Sequence, residues 1–119
     1  MEIMTESMSE LLGRLKELDP ETWRDFKVIC NMTAFDDSPL DDPDIDTPVF
    51  GWCLQGVLQE TCKAKKWHHD VCYNEETEKY VSLVVPADNE TWLDSVEADT
   101  AAESLLATYI RALEAEAER

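Results

Sequence analysis

The stretch WHHDVCYNEETEKYVSLVV, residues 67 to 85, decides the fold. Its two ends have strand composition and the polar run NEETE lies between them, which is the pattern of an antiparallel hairpin. Successive side chains in a strand point to opposite faces. Trp67, His69, Val71 and Tyr73 therefore share one face of the first strand, with His68, Asp70 and Cys72 on the other. In the second strand Val81, Leu83 and Val85 alternate with Tyr80, Ser82 and Val84. Apolar residues on both faces make it the interior strand of its sheet, covered on both sides.

Immediately upstream, Pro48 to about Lys66 reads as the most hydrophobic helix of the chain. Phe50, Cys53, Leu54, Val57, Leu58 and Thr61 fall on one broad face. Lys63, Lys65 and Lys66 gather at its carboxyl end, where each cation offsets the negative pole by a few tenths to about 1 kcal/mol. Thr47-Pro48 supplies a cap and a first-turn proline. This segment is expected to be the central core helix, with Gly51 and Gly56 weakening it slightly while letting a neighbour approach.

Downstream, residues 86 to 98 are an acidic connection holding either a short helix or a third strand, in which Trp92, Leu93 and Val96 can pack down. Thr100 and Glu103 have capping-box spacing, and Leu105, Leu106, Tyr109, Ile110 and Leu113 give an amphipathic helix to about Ala117. At the amino end, Ile3, Met8, Leu11, Leu12, Leu15 and Leu18 recur at helical spacing and predict a helix over 1–18. Asp19-Pro20-Glu21 restarts the chain: Asp accepts free amide hydrogens, proline loses no hydrogen bond in the first turn, and Glu suits the positive pole. The second helix runs from Pro20 to about Cys30 with Trp23, Phe26, Ile29 and Cys30 at helical spacing, although FKVIC alone also reads as a short strand.

The fold class is α+β: a small antiparallel hairpin or three-stranded sheet packed against three or four helices. At 119 residues the chain is expected to be a single domain spanning 1–119. The expected core is Leu11, Leu15, Trp23, Phe26, Phe50, Leu54, Val57, Val81, Leu83, Leu106, Tyr109 and Ile110.

Charge narrows the function. Ten basic against 27 acidic residues leave a formal net charge of -17. Such a polyanion repels phosphate backbones and anionic lipid, so direct binding to nucleic acid or a membrane is disfavoured and a basic protein partner favoured. High acidity also serves simply to keep a small protein soluble. No apolar run reaches the roughly 18 residues of a membrane span, and MEIMTESMSE lacks the basic start and apolar stretch of a signal peptide. A cytoplasmic protein is expected, its four cysteines (Cys30, Cys53, Cys62, Cys72) reduced rather than bridged.

The acidity is densest in DDSPLDDPDID, residues 36 to 46, where Asp36, Asp37, Asp41, Asp42, Asp44 and Asp46 lie between two helices in a proline-restricted loop spanning about 33–47. Asp42, Asp44 and Asp46 match the first, third and fifth ligand positions of a calcium loop. Thr47 stands where that loop needs Gly, and Cys53 where it needs a bidentate Glu. Glu75, Glu76 and Glu78 in the hairpin turn, with Asp88, Glu90, Asp94, Glu97 and Asp99, extend the acidic set. Gathered on one side they would present negative charge resembling a phosphate backbone; scattered, they are only a solvated surface.

The alternative chemistry is a metal group of Cys62, His68, His69 and Cys72, with Cys53 nearby, all ligand types that zinc takes. Gaps of nine and ten positions between successive cysteines from Cys53 to Cys72, without a CxxC, argue against a structural zinc site. Cys53 on an apolar helix face also reads as a small hydrophobe. Cys72 with His68 or His69 can be drawn as nucleophile and base, but no GxSxG, HExxH or phosphate-cradling glycine loop accompanies them. No enzymatic activity and no cofactor are expected.

SELLGRLKEL, PVFGWCLQGVLQE through KKWHHDVCYNEETEKYVSLVVP, and TAAESLLATYIRALEAEAE together resemble small phage and prophage proteins with an alpha-beta-alpha sandwich domain. Ala101, Ala102 and Ala107 echo the small-residue pattern of that group's last helix, and the long acidic loop departs from it. The resemblance implies a phage-encoded accessory protein acting in a bacterial cytoplasm, with no catalytic residues to carry over. By analogy of class and charge it points to an inhibitor of host defence of the anti-CRISPR, anti-restriction or DNA-mimic kind. The expected partner is a host protein with a basic, nucleic-acid-binding surface, met by Asp36, Asp37, Asp41, Asp42, Asp44, Asp46, Glu75, Glu76 and Glu78. A metal-binding protein, or a homodimeric module built on an apolar face of the last helix, are the other readings.

Overall fold

The computed structural model describes residues 8–30, 48–86 and 96–117, in the order α1 (Met8–Leu18), α2 (Pro20–Cys30), α3 (Pro48–Lys65), β1 (His68–Asn74), β2 (Lys79–Val85), β3 (Val96–Ala98) and α4 (Ala101–Ala117). Among these residues the fold is α+β, four helices with one three-stranded antiparallel sheet in the order β1-β2-β3. β2 is the interior strand, as expected, but it is not equally covered on both sides, since Val81 and Leu83 on one face are only half-buried. The third strand lies in the acidic connection, where Tyr80 pairs with Ala98 and Ser82 with Val96.

The hairpin register places His69 opposite Val84, Val71 opposite Ser82 and Tyr73 opposite Tyr80. The two tyrosine rings are 5.0 Å apart and tilted, a cross-strand pair of the kind that fixes register. Asn74 already pairs with Lys79, which leaves Glu75 to Glu78 as the turn. The Asn74 side-chain oxygen accepts the Glu76 N–H at 3.0 Å, an Asx turn that starts the reversal. Glu78 completes it with a left-handed backbone, φ 57°.

The helix signals act where they stand. Asp19 accepts the Thr22 N–H at 3.3 Å and its hydroxyl at 2.7 Å, capping α2, and Thr100 accepts the Glu103 N–H at 3.1 Å, capping α4. FKVIC is helical, not a strand. α3 ends in a Schellman motif: Trp67 N–H donates to the Cys62 carbonyl at 2.9 Å and Lys66 N–H to Lys63 at 3.1 Å, with Lys66 at φ 63°. A side chain at that φ is strained, so Lys66→Gly is expected to stabilise the fold by about 1 kcal/mol. The check is the urea midpoint, and a lower midpoint in the variant would contradict the motif's assignment.

Two expectations about the core need correction. The central helix is α4, not α3: α4 touches α1, α3 and all three strands. It buries Ala102, Ser104, Leu105, Leu106, Thr108, Tyr109, Ile110 and Ala112. Small residues line its contact with α3, where Gly51 faces the Ala102 methyl and an added Cβ would meet it in ordinary van der Waals contact at 3.5 Å. The second correction is the face of β2 that meets α4. Val81 and Leu83 are only half-buried, whereas Ser82 and Val84 are 1% and 0% exposed. Ser82 is selected by hydrogen bonding: its hydroxyl lies 2.7 Å from that of Ser104, which also reaches the Val96 carbonyl at 2.5 Å, so a small polar seam holds helix to sheet.

Leu11, Leu12, Leu15, Trp23, Phe26, Leu54, Val57, Leu58 and Cys62 complete the core around α4. Leu18 is 39% exposed: it shares Leu11's azimuth but sits at the last residue of α1, beyond the packed layer. The expected helix over 1–7, Trp92 and Leu93, the acidic loop and the Phe50 side chain lie outside the described residues.

Candidate acidic interface

The hairpin turn exposes Glu75, Glu76 and Glu78 to solvent at one end of the sheet. Antiparallel pairing of β2 with β3 brings Glu97 opposite Val81 and carries Asp99 to the level of Lys79, at that same end. Lys79 Nζ donates to Asp99 at 2.5 Å. That hydrogen bond, with the negative charges of Asp99, Glu97 and Glu103, raises the Lys79 ammonium above its ordinary pKa. Thr77, Lys79, Glu97, Asp99 and Glu103 line a shallow depression of about 450 Å³. The topology thus gathers Glu97, Asp99 and Glu103 around Lys79 and leaves the turn carboxylates at the same end of the sheet.

Of the residues the sequence singles out, Glu75, Glu76, Glu78, Glu97 and Asp99 come to this one end. Asp36, Asp37, Asp41, Asp42, Asp44 and Asp46, with Asp88, Glu90 and Asp94, lie outside the described residues.

The Cys/His group divides between core and surface. Cys62 is buried among the core residues, and that burial pushes its thiol up to about 12 despite the opposing charge of Lys65. It is a protonated small hydrophobe. His68 and Cys72 are exposed on one face of β1, the Cys72 thiol 3.9 Å from Asp70. His69 is half-buried on the other face, its Nδ1 3.5 Å from the Trp67 carbonyl. Among the described residues no three His, Cys, Asp or Glu side chains converge as a metal site, and Cys53, Cys62 and Cys72 are free thiols.

Asp19 does more than its capping signal shows. Tyr109 donates its hydroxyl to Asp19 at 2.5 Å and the Lys65 ammonium stands 3.8 Å away, tying α4, α2 and α3 at one point. Lys65 also lies over the Trp67 ring at 4.7 Å. Burial pushes the Asp19 carboxyl up, but hydrogen bonds from Tyr109 and Thr22 and the charge of Lys65 outweigh it, so the group sits below its ordinary pKa. Burial and the same Asp19 contact push the Tyr109 hydroxyl far up.

Sequence reasoning missed a groove of about 730 Å³ between α2 and α3, where Val28 and Trp52 are 66% and 69% exposed. The available signal was Trp52 itself, two positions before Leu54 and so off the apolar face of α3.

Among known proteins, no family model, curated protein or solved structure matches this chain. No helix among the described residues is long and apolar enough to cross a membrane.

Proposed function

We propose that this chain is a non-enzymatic, phage-encoded accessory protein that binds a basic, nucleic-acid-binding surface of a host protein in the bacterial cytoplasm and inhibits it. The observation that carries this reading is the acidic end of the sheet, where Glu97, Asp99 and Glu103 gather around Lys79 and the exposed turn residues Glu75, Glu76 and Glu78 lie at the same end. A short turn and a paired strand hold these charges in place, so little ordering is needed when a cationic groove closes over them. The net charge of -17 adds long-range steering toward such a groove. The phage origin and the anti-defence role rest on the resemblance of layout and on charge.

The test is affinity capture from a bacterial lysate at low and at high salt, with mass spectrometry of what is retained. Nucleic-acid-binding proteins retained at low salt and released at high salt are the expected result, because contacts between exposed charges are screened. A partner held equally at both ionic strengths would overturn the reading.

A further inference from the structure

We infer that the groove between α2 and α3 docks a basic amphipathic helix of the partner protein, an inference that rests on the proposed reading and adds an apolar anchor to it. Val28 on α2 and Trp52 on α3 expose large apolar side chains into the same groove. Gly56, one turn beyond Trp52, leaves open space where a side chain would otherwise stand. Glu21 and Asp25 project from the Val28 side of α2, and Glu60 continues the Trp52–Gly56 row of α3, all exposed. Of the two cations that line the groove, Arg24 and Lys65, the second is turned to Asp19 and Trp67. An apolar floor with an acidic rim is complementary to a helix with apolar residues on one stripe and lysine or arginine beside it. Apolar or purely acidic occupants would leave the rim unpaired or repelled. An exposed tryptophan in a concave site is also the side chain most enriched among residues that dominate binding energy.

The probe is a fluorescent amphipathic peptide of leucine and lysine at helical spacing, with a control of the same charge in which alanine replaces leucine. Wild-type protein is expected to bind the leucine peptide more tightly and with greater resistance to salt. Trp52→Ala and Val28→Ser are each expected to weaken that binding about tenfold or more with an unchanged thermal melt, since both residues are exposed. Equal binding of the two peptides, or wild-type affinity in both variants, would overturn the groove's role. The two readings fail separately. If Glu75→Lys, Glu76→Lys and Glu78→Lys together weaken peptide binding while Trp52→Ala does not, the groove is excluded and the acidic end stands. If Trp52→Ala abolishes peptide binding but the captured partner is indifferent to salt, the groove stands and the acidic reading falls.

Discussion

Leu106→Ala is expected to destabilise the protein by about 2–5 kcal/mol, a large share of the roughly 5–15 kcal/mol by which a domain of this size is stable. Leu106 is fully buried on the one helix that touches α1, α3 and the whole sheet. A cavity there is walled by elements that cannot close on it without breaking other contacts, among them the Ser104 and Thr108 hydrogen bonds to Ser82. The cost should therefore exceed the transfer free energy of the missing atoms. Leu54→Ala, equally buried on α3, falls in the same range. Urea unfolding measures both, and a midpoint unchanged by either substitution would overturn the packing described.

Asp19→Ala should cost roughly 2–4 kcal/mol, of which about 1 is the lost helix cap and the rest the lost hydrogen bond from the Tyr109 hydroxyl to a charged acceptor, Tyr109 keeping Thr22 as a partner. The effect depends on pH with a definite sign. The folded-state carboxyl is held below its unfolded value. Its contribution is therefore complete above the unfolded pKa of about 4 and is lost as the pH falls through the lower, folded value. The stability difference between wild type and Asp19→Asn should be level from neutral pH down to about 4 and shrink below it. Subtracting the two curves removes the titration of the many other carboxylates, which both proteins share. A difference that grows on acidification would contradict the pairing. Tyr109→Phe combined with Asp19→Asn should cost less than the two singles added, because both break one contact.

What was legible in the sequence was local chemistry. Asp19-Pro20 and Thr100 to Glu103 announce helix starts because the capping atoms lie within three residues of the amides they satisfy. The hairpin was legible from alternation, and the faces of β1 followed from parity alone. The face of β2 that turns inward was not, because Val81 and Leu83 are more apolar than Ser82, and only the Ser104 hydroxyl across the interface reverses the choice. The prominence of α4 was hidden for a related reason: Ala102, Ser104, Thr108 and Ala112 look unremarkable in hydrophobicity yet let three elements approach at once. Left-handed positions at Lys66 and Glu78 carry no glycine to mark them. Of the candidate site, the turn carboxylates could be named from sequence, but their convergence with Glu97 and Asp99 needed β3, whose register no periodicity over three residues can set.

In the proposed function the carboxylates of the sheet end make the contact with the partner. The direct measurement is the affinity of Glu75→Lys, Glu76→Lys, Glu78→Lys protein for the captured partner, with circular dichroism confirming that the exposed turn tolerates the change. Binding reduced about tenfold or more relative to wild type, with the remaining affinity less sensitive to salt, is the predicted result. A folded variant that binds the partner as tightly as wild type would contradict it.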